Sequence, residues 1–124
     1  MKVSNKAILV ALVVFTILHV LLLVAARNLL TTPDRVAMVV PILNAAAYLI
    51  YLVTGLIAGG GAKNAPVLHG VAAGFFAAII AIIFFGSTKG DLLAVAVLIA
   101  NGLIFGGIGG ACSLLFAKEP STDA

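Results

Sequence analysis

Charge is what this chain has least of. It holds 4 acidic and 7 basic side chains in 124 residues, and none of them falls inside its four long apolar stretches. A soluble domain carries charge at roughly a quarter of its positions. A short chain also has a large surface for its volume, and that surface needs polar cover. A charged fraction of 9% cannot supply it, so a water-soluble globule is excluded and lipid is the solvent that suits the chain. Cysteine is nearly absent too: Cys112 is alone, so no intrachain disulfide forms and no zinc spacing exists. Without Asp, Glu, Lys or Arg in an apolar stretch, the chain is a poor proton- or sodium-coupled carrier. There is no phosphate-cradling loop, nucleophile elbow or zinc motif. Ser113 and Cys112 have no candidate base in their own stretch. No catalytic group, metal or cofactor is therefore expected, and the chain reads as a non-enzyme. The net charge of +3 lacks any basic run or face, so nucleic acid is not an expected partner.

What is there is four apolar segments, at about 7–26, 36–58, 66–85 and 92–116, followed by a polar tail at 117–124. Each holds about 20 residues or more, and as a helix would reach roughly 30 Å, the thickness of a bilayer core. Backbone polar groups in lipid must be paired internally, which requires helices or a closed barrel. The alternating ten-residue segments of a barrel are missing. The expected fold is all-α: a single domain forming a transmembrane four-helix bundle, with short loops and antiparallel neighbours. The breaks carry turn and start signals: Thr31-Thr32-Pro33-Asp34, then Gly59-Gly60-Gly61-Ala62-Lys63-Asn64 with Pro66 after it, then Gly86 to Asp91. Pro41, in the second turn of span 2, is expected to bend the helix start. Met1-Lys2 ahead of an apolar run raises the question of a signal peptide. The run is about 20 residues, beyond the usual apolar core of about 7–15, and it is read as a retained span.

Four spans put both termini on one side. That side gathers Lys2, Lys6, Lys63 and Lys118, against Arg27, Arg35 and Lys89 on the other. The positive-inside rule then favours both termini in the cytoplasm, and a bacterial inner (plasma) membrane is the expected location.

Polar side chains inside spans are the default functional candidates, because they are costly in hydrocarbon. They are Thr16, His19, Asn44, Tyr48, Tyr51, Thr54, Asn101, Cys112 and Ser113. His19, Asn44 and Asn101 each lie about 12–14 Å inside the same edge by residue count. If their faces meet, they form one buried polar layer of an imidazole and two carboxamides. Such a layer reads as glue that sets helix register, with a ligand, quinone or proton site as the other reading. Asn44, Tyr48, Tyr51 and Gly55 share one face of span 2, expected to look inward or toward a partner.

Small residues form a third pattern. Gly102, Gly106 and Gly110 recur at spacing four in span 4, and Gly70, Gly74, Ala77 or Ala78, and Ala81 line one face of span 3. Such faces let helix backbones approach closely, within the bundle or between chains. The run Gly55-x-x-x-Gly59…His69-Gly70-x-x-x-Gly74 resembles a group of small bacterial four-span membrane proteins. They share a glycine-rich turn between spans 2 and 3, a His-Gly pair opening span 3, and a glycine-rich span 4. The resemblance covers about the last two-thirds of the chain. It implies a four-helix fold, with no activity, substrate or cofactor attached. It also makes His69 an interfacial residue near the cytoplasmic edge, able to touch lipid phosphates or a partner.

The loops are too short to bind much, and the spans offer packing surfaces rather than chemistry. The leading expectation is an accessory or structural subunit of a larger membrane complex, or a homo-oligomer. A homo-oligomeric channel or permease, with the polar layer and Tyr48/Tyr51 along its pore, comes second. A holin-like lesion former comes third.

Overall fold

The computed structural model describes residues 4–62, 65–85 and 90–116. They form four α-helices: α1 (Asn5–Leu29), α2 (Pro33–Gly61), α3 (Pro66–Phe85) and α4 (Leu92–Phe116). All four are long and apolar enough to cross a membrane, and they pack into one bundle. The chain is a small integral membrane protein.

Each helix start has a local cause. The Ser4 hydroxyl accepts from Ala7 N–H at 3.2 Å and opens α1. Thr32 does the same for α2 with Arg35 N–H at 3.3 Å, ahead of Pro33 and of Asp34 in the first turn. Asp91 Oδ1 accepts from Leu93 N–H at 3.0 Å and opens α4. α1 and α2 are longer than the apolar runs alone mark, because these polar caps lie outside the hydrocarbon stretch. The glycine triplet 59–61, expected as part of a break, stays helical as the last turn of α2. Helix α2 also runs through Pro41, which has no N–H, so the Ala37 carbonyl loses its usual donor four residues on. Lys2, Lys63, Lys89 and Lys118, the turn residues 63–64 and 86–89, and the tail from 117 lie outside the described residues.

Contacts between named residues give the chain directions. Ala7 lies against Gly61, and Phe15 against Tyr51, so α1 and α2 run opposite ways. Gly70 meets Gly110 while Gly74 meets Gly102, so α3 and α4 do likewise. Gly55 meets Gly106 and Gly59 meets Gly110, so α2 and α4 share a direction.

Burial is uneven along the bundle. The core lies toward the end that holds Ser4, Gly61, Pro66 and the last turns of α4. It consists of Ala7, Ile8, Ala11 and Phe15 of α1, Ile50, Tyr51, Thr54 and Ala58 of α2, and Ala73, Ala77, Ala78 and Ala81 of α3. Toward the other end the helices lose cover. No residue of α2 from Pro33 to Leu49 is buried, and none of α4 from Leu92 to Asn101. That flank of two codirectional helices is left to lipid or to another protein.

Candidate functional site

Two seams hold the covered half together, and both run through α4. On the α3 side, a Cβ at Gly74 would strike the Gly102 carbonyl oxygen, and one at Gly106 would strike that of Gly70 and lie 2.9 Å from Gly74 Cα. On the α2 side, a Cβ at Gly55 would overlap the Gly106 backbone, one at Gly109 the Leu52 carbonyl, and one at Gly59 would lie 2.8 Å from Gly110 Cα. Backbone on backbone at this range gives α4 dense van der Waals contact on two sides, which lipid tails cannot match. Gly70, Gly74, Gly102, Gly106 and Gly110 are all buried inside the bundle, so they leave no glycine face for another chain. Gly55, Gly59 and Gly109 complete the seams. Their spacing in span 2 is visible in the sequence, but which neighbour they meet is not.

His69 is buried rather than half-wet, with 1% of its surface exposed, which corrects the interfacial reading. The Ser4 backbone N–H donates to His69 Nε2 at 2.8 Å. That bond places the ring proton on Nδ1, which donates to the Ala65 carbonyl at 2.9 Å. With both nitrogens used, the imidazole has nothing left for a phosphate or a partner. The physical reason is the chain's own start: Ser4 folds over the head of α3 and seals it. Nothing in the pattern around Ser4 announces this bond, which spans 65 residues.

The hydroxyls of Thr16, Thr54 and Ser113 are also spent locally. Thr16 Oγ1 donates to the Leu12 carbonyl at 2.9 Å, Thr54 Oγ1 to that of Ile50 at 2.7 Å, and the Ser113 hydroxyl to that of Gly110 at 2.6 Å. Tyr51 packs on Phe15, and its buried hydroxyl has no hydrogen-bond partner among the described residues. Among the same residues, no group of three His, Cys, Asp or Glu could hold a metal ion.

The single polar layer of His19, Asn44 and Asn101 does not assemble. His19 is buried against the rings of Phe15 and Phe85, at centroid distances of 5.3 and 4.5 Å. Asn44 is exposed on α2 and Asn101 half-buried on α4, and no hydrogen bond joins the three among the described residues. Residue count along a helix does not fix the direction in which a side chain points. The face of Asn44, Tyr48, Tyr51 and Gly55 divides in the same way. Tyr51 and Gly55 are buried, whereas Tyr48 is 41% exposed and Asn44 is exposed. One helix face passes through two environments, because α1 and α4 cover only its lower half.

The upper half forms its own surface. Leu52 meets Gly109, and one turn up Tyr48 stacks on Phe105 at 5.0 Å and 18°. Asn44 lies one turn above Tyr48 on α2, and Asn101 one turn above Phe105 on α4. Below them, Ala45, Tyr48, Leu49, Leu52 and Phe105 line an open apolar groove of about 330 Å³. The described residues thus divide into a covered half, whose unpartnered polar atom is the buried Tyr51 hydroxyl, and an open flank that carries two carboxamides and a tyrosine. By fold and surface, the chain belongs to the class of small all-helical integral membrane proteins. No family model matches it, and neither does any curated protein or solved structure.

Proposed function

We propose that this chain is a non-catalytic packing subunit of the membrane, working through its outer helix faces in a larger complex or a homo-oligomer. One observation carries the reading: on the open flank the Asn44 carboxamide is exposed at membrane depth without a hydrogen-bond partner among the described residues, whereas Thr16, Thr54, His69 and Ser113 of the covered half are hydrogen-bonded within the chain. Asn44 lies about 16 Å along α2 from Pro33, roughly 5 Å from the helix midpoint, with no partner in its own chain among the described residues. A carboxamide exposed to hydrocarbon near the bilayer centre is costly, and a neighbouring protein relieves that cost. The charge bias adds an orientation, with both termini in the cytoplasm of a bacterial inner membrane.

Extraction from native membranes in mild detergent, followed by native mass measurement, tests the reading. A stable multimer or a stoichiometric protein partner supports it, and a strict monomer with nothing attached counts against it. The channel alternative draws on the same flank, because Asn44, Tyr48 and Asn101 would line a central pore in a ring of copies. Solute or ion flux in liposomes holding only this protein would favour it.

A further inference from the structure

Resting on that reading, we infer that the partner on the open flank is a second copy of this chain, in the same orientation, with Asn44 of α2 bonded to its symmetry mate. Three observations lead there. The first is depth. A second copy inserted the same way carries its Asn44 at the same height, and a two-fold axis along the membrane normal sets the two carboxamides opposite each other. A different protein meets this requirement only if it has a polar group at that level.

The second is chemistry. A carboxamide carries two N–H donors and an acceptor oxygen, so a pair satisfies itself with no other residue and no charge. At the depth of Asn44 the apolar stretches 7–26, 36–58, 66–85 and 92–116 hold no Asp, Glu, Lys or Arg with which a charged partner would pair. The third is shape. Ala45 and Ala37 keep the backbone low beside Asn44, and Asn44, Ala45, Tyr48 and Leu49 are all exposed on α2. The groove lined by Tyr48, Leu49 and Phe105 lies just below and is open to receive apolar side chains. Asn101, one turn above Phe105 on α4 and half-buried, is a second donor and acceptor beside the groove.

The full chain is reconstituted in liposomes over a range of protein-to-lipid ratios, and self-association is read by energy transfer between labelled copies. In parallel, Ala45→Cys and, as a control, Val13→Cys are tested for oxidative crosslinking in a Cys112→Ser background. Val13 is 52% exposed on α1, away from the proposed contact. The expected results are a concentration-dependent dimer and crosslinking through position 45 but not 13. Asn44→Ala should weaken the dimer about three- to tenfold. Asn44→Gln should restore most of the affinity, and Asn44→Ala with Asn101→Ala should weaken it further. Circular dichroism and an unchanged melting temperature guard against a variant that has merely failed to fold. A dimer indifferent to Asn44→Ala and crosslinked elsewhere overturns the inference and leaves the packing-subunit reading standing. So does a monomer in liposomes that copurifies with a different protein or a small ligand on this flank. A monomer without any partner in liposomes and in native extracts overturns both.

Discussion

The backbone N–H of Ser4 and the imidazole Nε2 of His69 lie 2.8 Å apart, and this bond fastens the first turn of α1 to the head of α3. The same ring holds the Ala65 carbonyl through Nδ1, so one side chain joins the chain's start, the entry to α3 and the core. His69→Leu removes both bonds and leaves the Ser4 N–H without its acceptor. The expected cost is about 1–3 kcal/mol, with faster amide exchange over residues 4–8. Ser4→Ala leaves the backbone bond in place and removes only the cap, at a cost of about 1 kcal/mol. Equal exchange rates in the two variants would disprove the fastening role.

Ala65 sits just before Pro66 with φ of 48°, in the left-handed region. An L side chain there costs about 1–2 kcal/mol, and glycine removes that cost while adding about 0.4–1 kcal/mol of chain entropy to the unfolded state. Ala65→Gly should therefore raise the thermal midpoint in detergent slightly. A clear drop would show that the alanine methyl contributes packing that outweighs its strain.

Glycines at the seams and glycines at the rim should respond in opposite directions. A Cβ at Gly106 meets the backbone of α3, which cannot move aside as a side chain can. Gly106→Ala should cost about 3 kcal/mol or dissociate the seam. At Gly60 the nearest atom to an added Cβ is Ser113 Cβ, at 3.8 Å, an ordinary contact. Gly60→Ala should stabilise α2 by about 0.5–1 kcal/mol, because alanine gives up less backbone freedom. Unfolding titrations of the two variants side by side provide the check, and the same sign in both would contradict the seam geometry.

Tyr51 is the counterexample to the idea that buried polar groups stabilise. Its ring packs on Phe15 at 5.2 Å, while its hydroxyl is unsatisfied among the described residues. Tyr51→Phe keeps the ring and deletes the stranded hydroxyl, so stability should stay level or rise by about 1 kcal/mol. A loss above that size would reveal a partner for the hydroxyl, such as a bound water.

Orientation can be read with a membrane-impermeant thiol reagent in a Cys112→Ser background. Asn5→Cys should label from the cytoplasmic side and Arg35→Cys from the opposite side, because both residues are exposed at opposite ends of the bundle. Labelling of both from one side would refute the four-span arrangement, and reversed labelling would refute only the orientation.

The amino-acid sequence by itself determined the solvent, the number of helices and, to within a turn, where they start. Those follow from local quantities: run length, the absence of charge, and capping residues such as Thr32, Pro33 and Asp91, each readable without knowing any neighbour. It also showed which faces of α3 and α4 are small. The tertiary structure alone decided which polar residues are spent and which are free. Asn44 and Tyr51 share a helix face seven residues apart, yet one is exposed and the other buried, because the other helices fully bury residues of α2 only from Ile50 onward. His69 reads as interfacial until Ser4, far away in the chain, closes over it. Periodicity places a side chain on a face and at a depth, but whether another helix covers that point depends on contacts between residues distant in the chain, which no local pattern records.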